Sequence, residues 1–131
     1  MAIKGYRDLV IWQKATELAK EVYRLTWGFP SHEKYGLASQ LQRAAVSVAS
    51  NIAEGQARHH SGEFRQFLFQ ALGSLAEVDT QLYLASALGY VGGAKNSRTE
   101  ALIEELRRMM YTLVARLPSR RSDRRPLATG H

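Results

Sequence analysis

The chain has no cysteine. That single absence removes disulfides, thiolate zinc sites and cysteine nucleophiles, and it fits a reducing compartment. Proline is scarce as well. Its three occurrences, Pro30, Pro118 and Pro126, fall outside every helical pattern, and the first two act as punctuation. No stretch reaches the roughly 18 apolar residues that a membrane span needs. The opening MAIKGYRDLVIWQK has an apolar run of only about four residues, which reads as neither a signal peptide nor a span. The expected location is therefore cytoplasmic, with no membrane partner. Strand-like alternation never runs for more than a few residues, and no internal repeat is evident. There is no phosphate-binding glycine-rich loop, no G-x-S-x-G and no H-E-x-x-H.

What is present is enough for one domain. At 131 residues with 45% hydrophobic side chains, the chain can bury a core without metal or cross-link. The formal net charge is +6, and it is unevenly spread. Residues 119–131 hold four arginines (Arg120, Arg121, Arg124 and Arg125) against one aspartate, so half of the excess sits in the last 13 residues. This segment is polar and aperiodic and is expected to be a disordered basic tail after a helical domain over residues 1–118. A basic tail favours polyanions, of which nucleic acid is the commonest in a cytosol. Solubility alone is the plainer reading.

Four segments carry helical periodicity. The first runs from about Asp8, a natural N-cap, to about Thr26. Its polar arc holds Gln13, Lys14, Glu17, Lys20, Glu21 and Arg24. Its apolar arc is roughly 200° wide, about twice what a bundle helix needs. That width predicts a second buried contact, most simply with another subunit. The second helix runs from near Ser31 to about Arg58 and has a mostly small apolar side: Leu37, Ala38, Leu41, Ala44, Ala45, Val48, Ala49, Ile52 and Ala53. The third starts at a Ser61 cap and stops before Gly89, with Phe64, Phe67, Leu68, Ala71, Leu75, Val78, Leu82 and Ala85 facing the core. The fourth opens on a capping box at Ser97–Glu100, and its stripe of Leu102, Ile103, Leu106, Met109, Met110, Leu113, Val114 and Leu117 ends before Pro118. Short connections predict an all-α, antiparallel up-down-up-down four-helix bundle.

A second, polar stripe stands out on helix two. Gln40, Arg43, Ser47, Asn51, Glu54 and Arg58 lie within roughly 80° on the wheel. Helix three has a counterpart in Glu63, Gln66, Gln70, Ser74, Glu77 and Gln81. A hairpin around residues 59–60 sets Arg43 near Glu77, Asn51 near Gln70 and Arg58 near Glu63. Facing ladders of this kind form a hydrogen-bonded seam that fixes register, line a ligand or partner surface, or are simply solvated. Catalysis finds no support. Ser47 and Ser74 lack a histidine base in the helices, and Glu54 and Glu77 are better matched to arginine than to acid–base work. His59, His60 and Glu63 could gather a metal ion, but adjacent loop histidines are more often solvated. No metal, cofactor or small-molecule substrate is expected.

Several runs are familiar. Arg7-Asp8-Leu9-Val10-Ile11-Trp12-Gln13-Lys14-Ala15 resembles the opening of the 23S rRNA intervening-sequence proteins, the S23 or four-helix-bundle family. So does Phe29-Pro30-x-x-Glu33-x-Tyr35-Gly36-Leu37-x-x-Gln40-x-x-Arg43-Ala44-Ala45-x-Ser47. The most specific piece is Ser50-Asn51-Ile52-Ala53-Glu54-Gly55, followed by Phe64, Phe67, Leu68 and Ala71-x-Gly73-Ser74-x-x-Glu77. The resemblance is dense over residues 6–90 and loose over helix four, and it does not include the tail. It implies a four-helix bundle assembled as a homopentamer, in a family encoded within bacterial 23S rRNA genes or elsewhere in bacterial genomes. A related group, the accessory variability determinants of diversity-generating retroelements, is also similar to this chain; those proteins bind a reverse transcriptase and nucleic acid.

Two functions fit these features. One is an oligomeric RNA- or DNA-binding protein that contacts phosphates through Arg120, Arg121, Arg124 and Arg125, extended by body residues such as Lys14, Lys20 and Arg24. The other is a protein-interaction scaffold, for example an accessory subunit of a reverse transcriptase. No aromatic-rich stacking platform is evident beside the charges, so binding by phosphate contact is expected to be largely insensitive to sequence.

Overall fold

The computed structural model of the chain describes residues 5–58 and 60–118. Among these, every regular element is helical: α1 (Val10–Thr26), α2 (Leu37–Ala57), α3 (Ser61–Ala87) and α4 (Ser97–Arg116), with 3₁₀ turns at Tyr6–Asp8, Ser31–Glu33 and Gly93–Asn96. The helices pack in a ring, α1 against α2, α2 against α3, α3 against α4 and α4 back against α1. Each contributes one stripe to a shared core. Leu18, Leu41, Ile52, Leu68, Leu75, Leu102, Leu106 and Met110 are fully enclosed there. The small residues of α2 let α3 come close. At the tightest point, a Cβ placed on Gly55 would lie 2.6 Å from the Phe67 Cβ and 3.1 Å from the Phe64 Cδ1. Glycine is required there by proximity, since its backbone is ordinary helix.

The apolar stripes fall where periodicity puts them, with two refinements. Met109, Leu113 and Leu117 are only half-buried at the edge of the α4 stripe. Leu9, just before α1, and Trp12, Ala19 and Leu25 on it also pack against the core, so most of the wide apolar arc is used within the chain. The uncharged surface that remains lies mainly on α3. Phe69, Gly73, Ala76, Thr80, Tyr83, Leu84 and Ala87 are all exposed and share an arc of roughly 100°.

The helix ends differ from expectation in consistent ways. Asp8 does not cap α1. It closes a 3₁₀ turn, and extended Leu9 is the residue before the helix. Ser31 likewise opens a 3₁₀ turn, and α2 begins six residues later. Its first turn is capped from a distance: the Glu33 carboxylate accepts the Leu37 N–H at 3.0 Å. A Cβ on Gly36 would sit 2.7 Å from that carboxylate oxygen. Ser61 and Ser97 are first helical residues rather than caps. His60 and Asn96 precede them, and neither supplies a side-chain cap. The expected box at Ser97–Glu100 is absent because a 3₁₀ turn feeds α4 directly. Gly89 does end α3, with φ +80°. The Tyr90 N–H then reaches back to the Ala85 carbonyl at 2.9 Å, closing the helix end as such left-handed glycines do.

Candidate functional site

Helices α2 and α3 run antiparallel in the expected register, and their polar ladders meet. Ser47 and Ser74 share a hydrogen bond of 2.9 Å between hydroxyls. Asn51 Nδ2 donates to the Ser47 carbonyl at 2.9 Å and to the Ser47 Oγ at 3.0 Å. The Ser47 proton is thereby free to point at Ser74, which is buried. One turn-pair further along, Gln81 Nε2 donates to Gln40 Oε1 at 3.5 Å. The middle of the ladder is therefore a hydrogen-bonded seam.

The charged rungs do not close. Arg43 and Glu77 border one open groove with Gln40, Ala44, Ser47 and Gln81, yet no ion pair joins them among the described residues. Both side chains are exposed, and the Coulomb gain of a solvated pair does not outweigh the rotamer freedom lost in forming it. The expected pairing across the hairpin end is also replaced. Arg58 reaches Glu54 on its own helix at 3.9 Å and lies over the Phe67 ring at 5.3 Å.

Three body cations were candidates for phosphate contact. Lys14 is held by Glu105 of α4 at 2.9 Å, and Arg24 is paired with Glu21 one turn earlier. Lys20 is exposed and has no ion pair among the described residues. Arg120, Arg121, Arg124 and Arg125 lie outside the described residues, as does His59 of the weighed metal group. Among the described residues no cluster of three or more metal-ligating side chains occurs, and no helix is long and apolar enough to cross a membrane.

At the α1–α2 end of the molecule, exposed aromatics do stand beside cations. Trp27 and Tyr35 border a cavity of about 550 Å³ together with Phe29, Lys34, Ser39 and Gln42. Trp27 is 78% and Tyr35 87% exposed. Trp27 also borders a second hollow with Lys20, Tyr23 and Arg24. Periodicity could not find this grouping, because the two rings are joined by a non-repeating connection. The available signal was two aromatics, Trp27 and Tyr35, on either side of Phe29-Pro30, with Lys34 beside the second.

Behind the cavity the connections are tied together. The Tyr90 hydroxyl donates to Glu33 Oε2 at 2.9 Å, its ring packs on Phe29 with centroids 5.5 Å apart, and His32 Nε2 lies 3.3 Å from the same hydroxyl. The Leu37 N–H, then the Tyr90 hydroxyl and the His32 charge, hold the Glu33 carboxyl below its ordinary range. The same hydrogen bond to Glu33 pushes the Tyr90 phenol up.

The family pattern of the 23S rRNA-intervening sequence protein matches residues 7–112. Among solved structures, the fold is similar to that of a protein of unknown function from the S23 ribosomal protein family of Bacteroides thetaiotaomicron VPI-5482. The TM-score is 0.71 at 18% sequence identity, over 80% of this chain and 98% of that one. At that identity the likeness speaks to the fold alone. No curated protein matches the chain.

Proposed function

The chain belongs to the 23S rRNA-intervening sequence protein family, and we propose that it works without catalysis, as a cytoplasmic homo-oligomer of up-down-up-down bundles that binds RNA through phosphate contacts. The observation that carries the binding reading is the charge: an excess of six positive groups, half of it in residues 119–131. Arginine suits phosphate by geometry as well as charge. An oligomer repeats each weak contact, so affinities add through multivalency. Five subunits are what the family resemblance implies. The uncharged outer face of α3, from Phe69 to Ala87, supports an assembly surface there rather than on α1.

The test is a fluorescence-anisotropy titration of labelled RNA at two salt concentrations, with the full chain and with a chain truncated after Leu117. Micromolar binding at low salt that falls steeply as salt rises is expected, because each neutralised phosphate releases counterions. Truncation should weaken it. Absence of binding at low salt eliminates the reading, and equal binding by both chains moves the contacts from the tail to the bundle. A second reading, a scaffold such as an accessory subunit of a reverse transcriptase, draws support from the same exposed Tyr83, Leu84 and Leu88. Under it, α3 variants lose a protein partner and RNA affinity is negligible. Light scattering that shows a monomer at micromolar concentration rejects the oligomer.

A further inference from the structure

The Trp27–Tyr35 cavity lies at the end of the bundle away from Pro118, where the described residues stop. The start of α1 and the end of α4 meet where Ile11 and Arg116 border one hollow. Trp27 and Tyr35 stand one full helix away, after α1 and before α2. Folding does not account for the two rings. Both stay largely in water, and the Lys34 ammonium lies over the Tyr35 ring, 5.5 Å from its centroid. Covering two large aromatics that stand bare at one cavity is favourable.

Charge narrows the occupant. No described residue bordering this cavity or the adjoining hollow is acidic. The nearby carboxylates are already engaged, Glu21 by Arg24 and Glu33 by Leu37 and Tyr90. Lys20 and Lys34 have no ion pair among the described residues. The space is that of an ordinary small-ligand pocket, with Ser39 and Gln42 at its border. Flat apolar faces beside ammonium groups that have no carboxylate partner among the described residues match a flat, polar-edged ring on an anionic chain. Resting on the RNA-binding reading above, we propose that this cavity takes an unpaired base of single-stranded RNA, stacked on Trp27 and Tyr35, with the flanking phosphates on Lys20 and Lys34. The bundle then distinguishes unpaired from duplex RNA, which the tail arginines alone cannot do.

The experiment compares a 12-nucleotide oligo(A) RNA with an abasic ribose-phosphate oligomer of equal length, using the full chain at low salt. Base stacking predicts tighter binding of oligo(A) by roughly 5- to 150-fold, with quenching of the tryptophan emission. The half-buried Trp12 serves as the internal background, read from Trp27→Phe. Trp27→Ala and Tyr35→Ala should each bring oligo(A) close to the abasic level and leave abasic binding unchanged. Both rings are exposed, so these variants keep the fold, which circular dichroism verifies. Equal affinity for the two oligomers, or unchanged oligo(A) binding by both variants, overturns the stacking site while leaving phosphate binding intact. Failure of both oligomers to bind removes the RNA-binding reading and this proposal with it. A changed subunit number in light scattering, with RNA affinity unchanged, assigns the rings to contact between copies and also overturns the proposal.

Discussion

Substituting Gly55 by alanine pits two known effects against each other. In the interior of a helix, alanine is favoured over glycine by about 1 kcal/mol. At Gly55 the added methyl would also sit 2.6 Å from the Phe67 Cβ and 3.1 Å from the Phe64 Cδ1. Phe67 Cβ is one bond from the α3 backbone, so no rotamer change relieves the contact, and α3 itself must move. Overpacking of this kind costs about 1–3 kcal/mol. Gly73, in the middle of α3, is the matched control, because a Cβ there meets nothing within 4 Å. Gly73→Ala should therefore stabilise by about 1 kcal/mol. Since the propensity gain is common to both, Gly55→Ala should fall below Gly73→Ala by about 1–3 kcal/mol. Urea denaturation at one protein concentration measures this, with light scattering to verify an equal subunit number. For a chain of this length the same difference appears as a melting-temperature gap of roughly 4 °C per kcal/mol. If Gly55→Ala is as stable as Gly73→Ala, the close approach of α2 and α3 is wrong and the packing argument fails.

Ser74→Ala removes the buried partner of Ser47 and should cost about 1 kcal/mol in denaturant; Ser47→Ala with Ser74→Ala should cost less than the sum of the two, because they share one bond. The Glu33–Tyr90 tie should fail at both pH extremes. Because the Glu33 carboxyl is held low, its contribution is present above the ordinary glutamate range and is lost as pH falls through the depressed value. Because the Tyr90 phenol is held high, its contribution is present below the ordinary tyrosine range and is lost as pH rises through the elevated value. Tyr90→Phe should abolish the alkaline loss and move the acid loss toward higher pH, read from melting temperature across the pH range. Lys14→Ala breaks a surface pair and should change stability by about 0–1 kcal/mol, whereas Lys20→Ala should leave stability unchanged and weaken RNA binding more than Lys14→Ala does.

The helices and their buried stripes were legible because a 3.6-residue period fixes which Cβ atoms face the core. The α2–α3 register was legible because a hairpin around residues 59–60 sets which rungs of the two ladders lie opposite, and the Ser47–Ser74 bond lies on it. Periodicity stops at Cβ, however. It placed Arg43 and Glu77 on the same groove but could not say whether two long, solvated side chains meet, and they do not. Caps were misread for a related reason. A serine or aspartate before an apolar run signals a helix start, but here 3₁₀ turns intervene, and α2 takes its cap from Glu33, four residues upstream of the N–H it receives. On α1, Trp12 and Leu25 of the wide apolar arc find room inside the same chain. On α3 the polar ladder drew attention from a third, uncharged face.

The run that resembles the family around Phe29 separates structural from functional duty. Phe29 and Leu37 are buried. Glu33 caps α2 and anchors Tyr90, and Gly36 leaves room for the Glu33 carboxylate. Each of these residues has a reason to be there that the fold supplies. Tyr35 has none: it is 87% exposed and caps nothing. A serine in its place would cost the bundle almost nothing, since surface substitutions away from such features change stability by less than about 0.5 kcal/mol. Folding therefore places no demand for an aromatic ring at this position. The stacking proposal gives that ring a partner in solution, and it assigns the same role to Trp27 at the border of the same cavity.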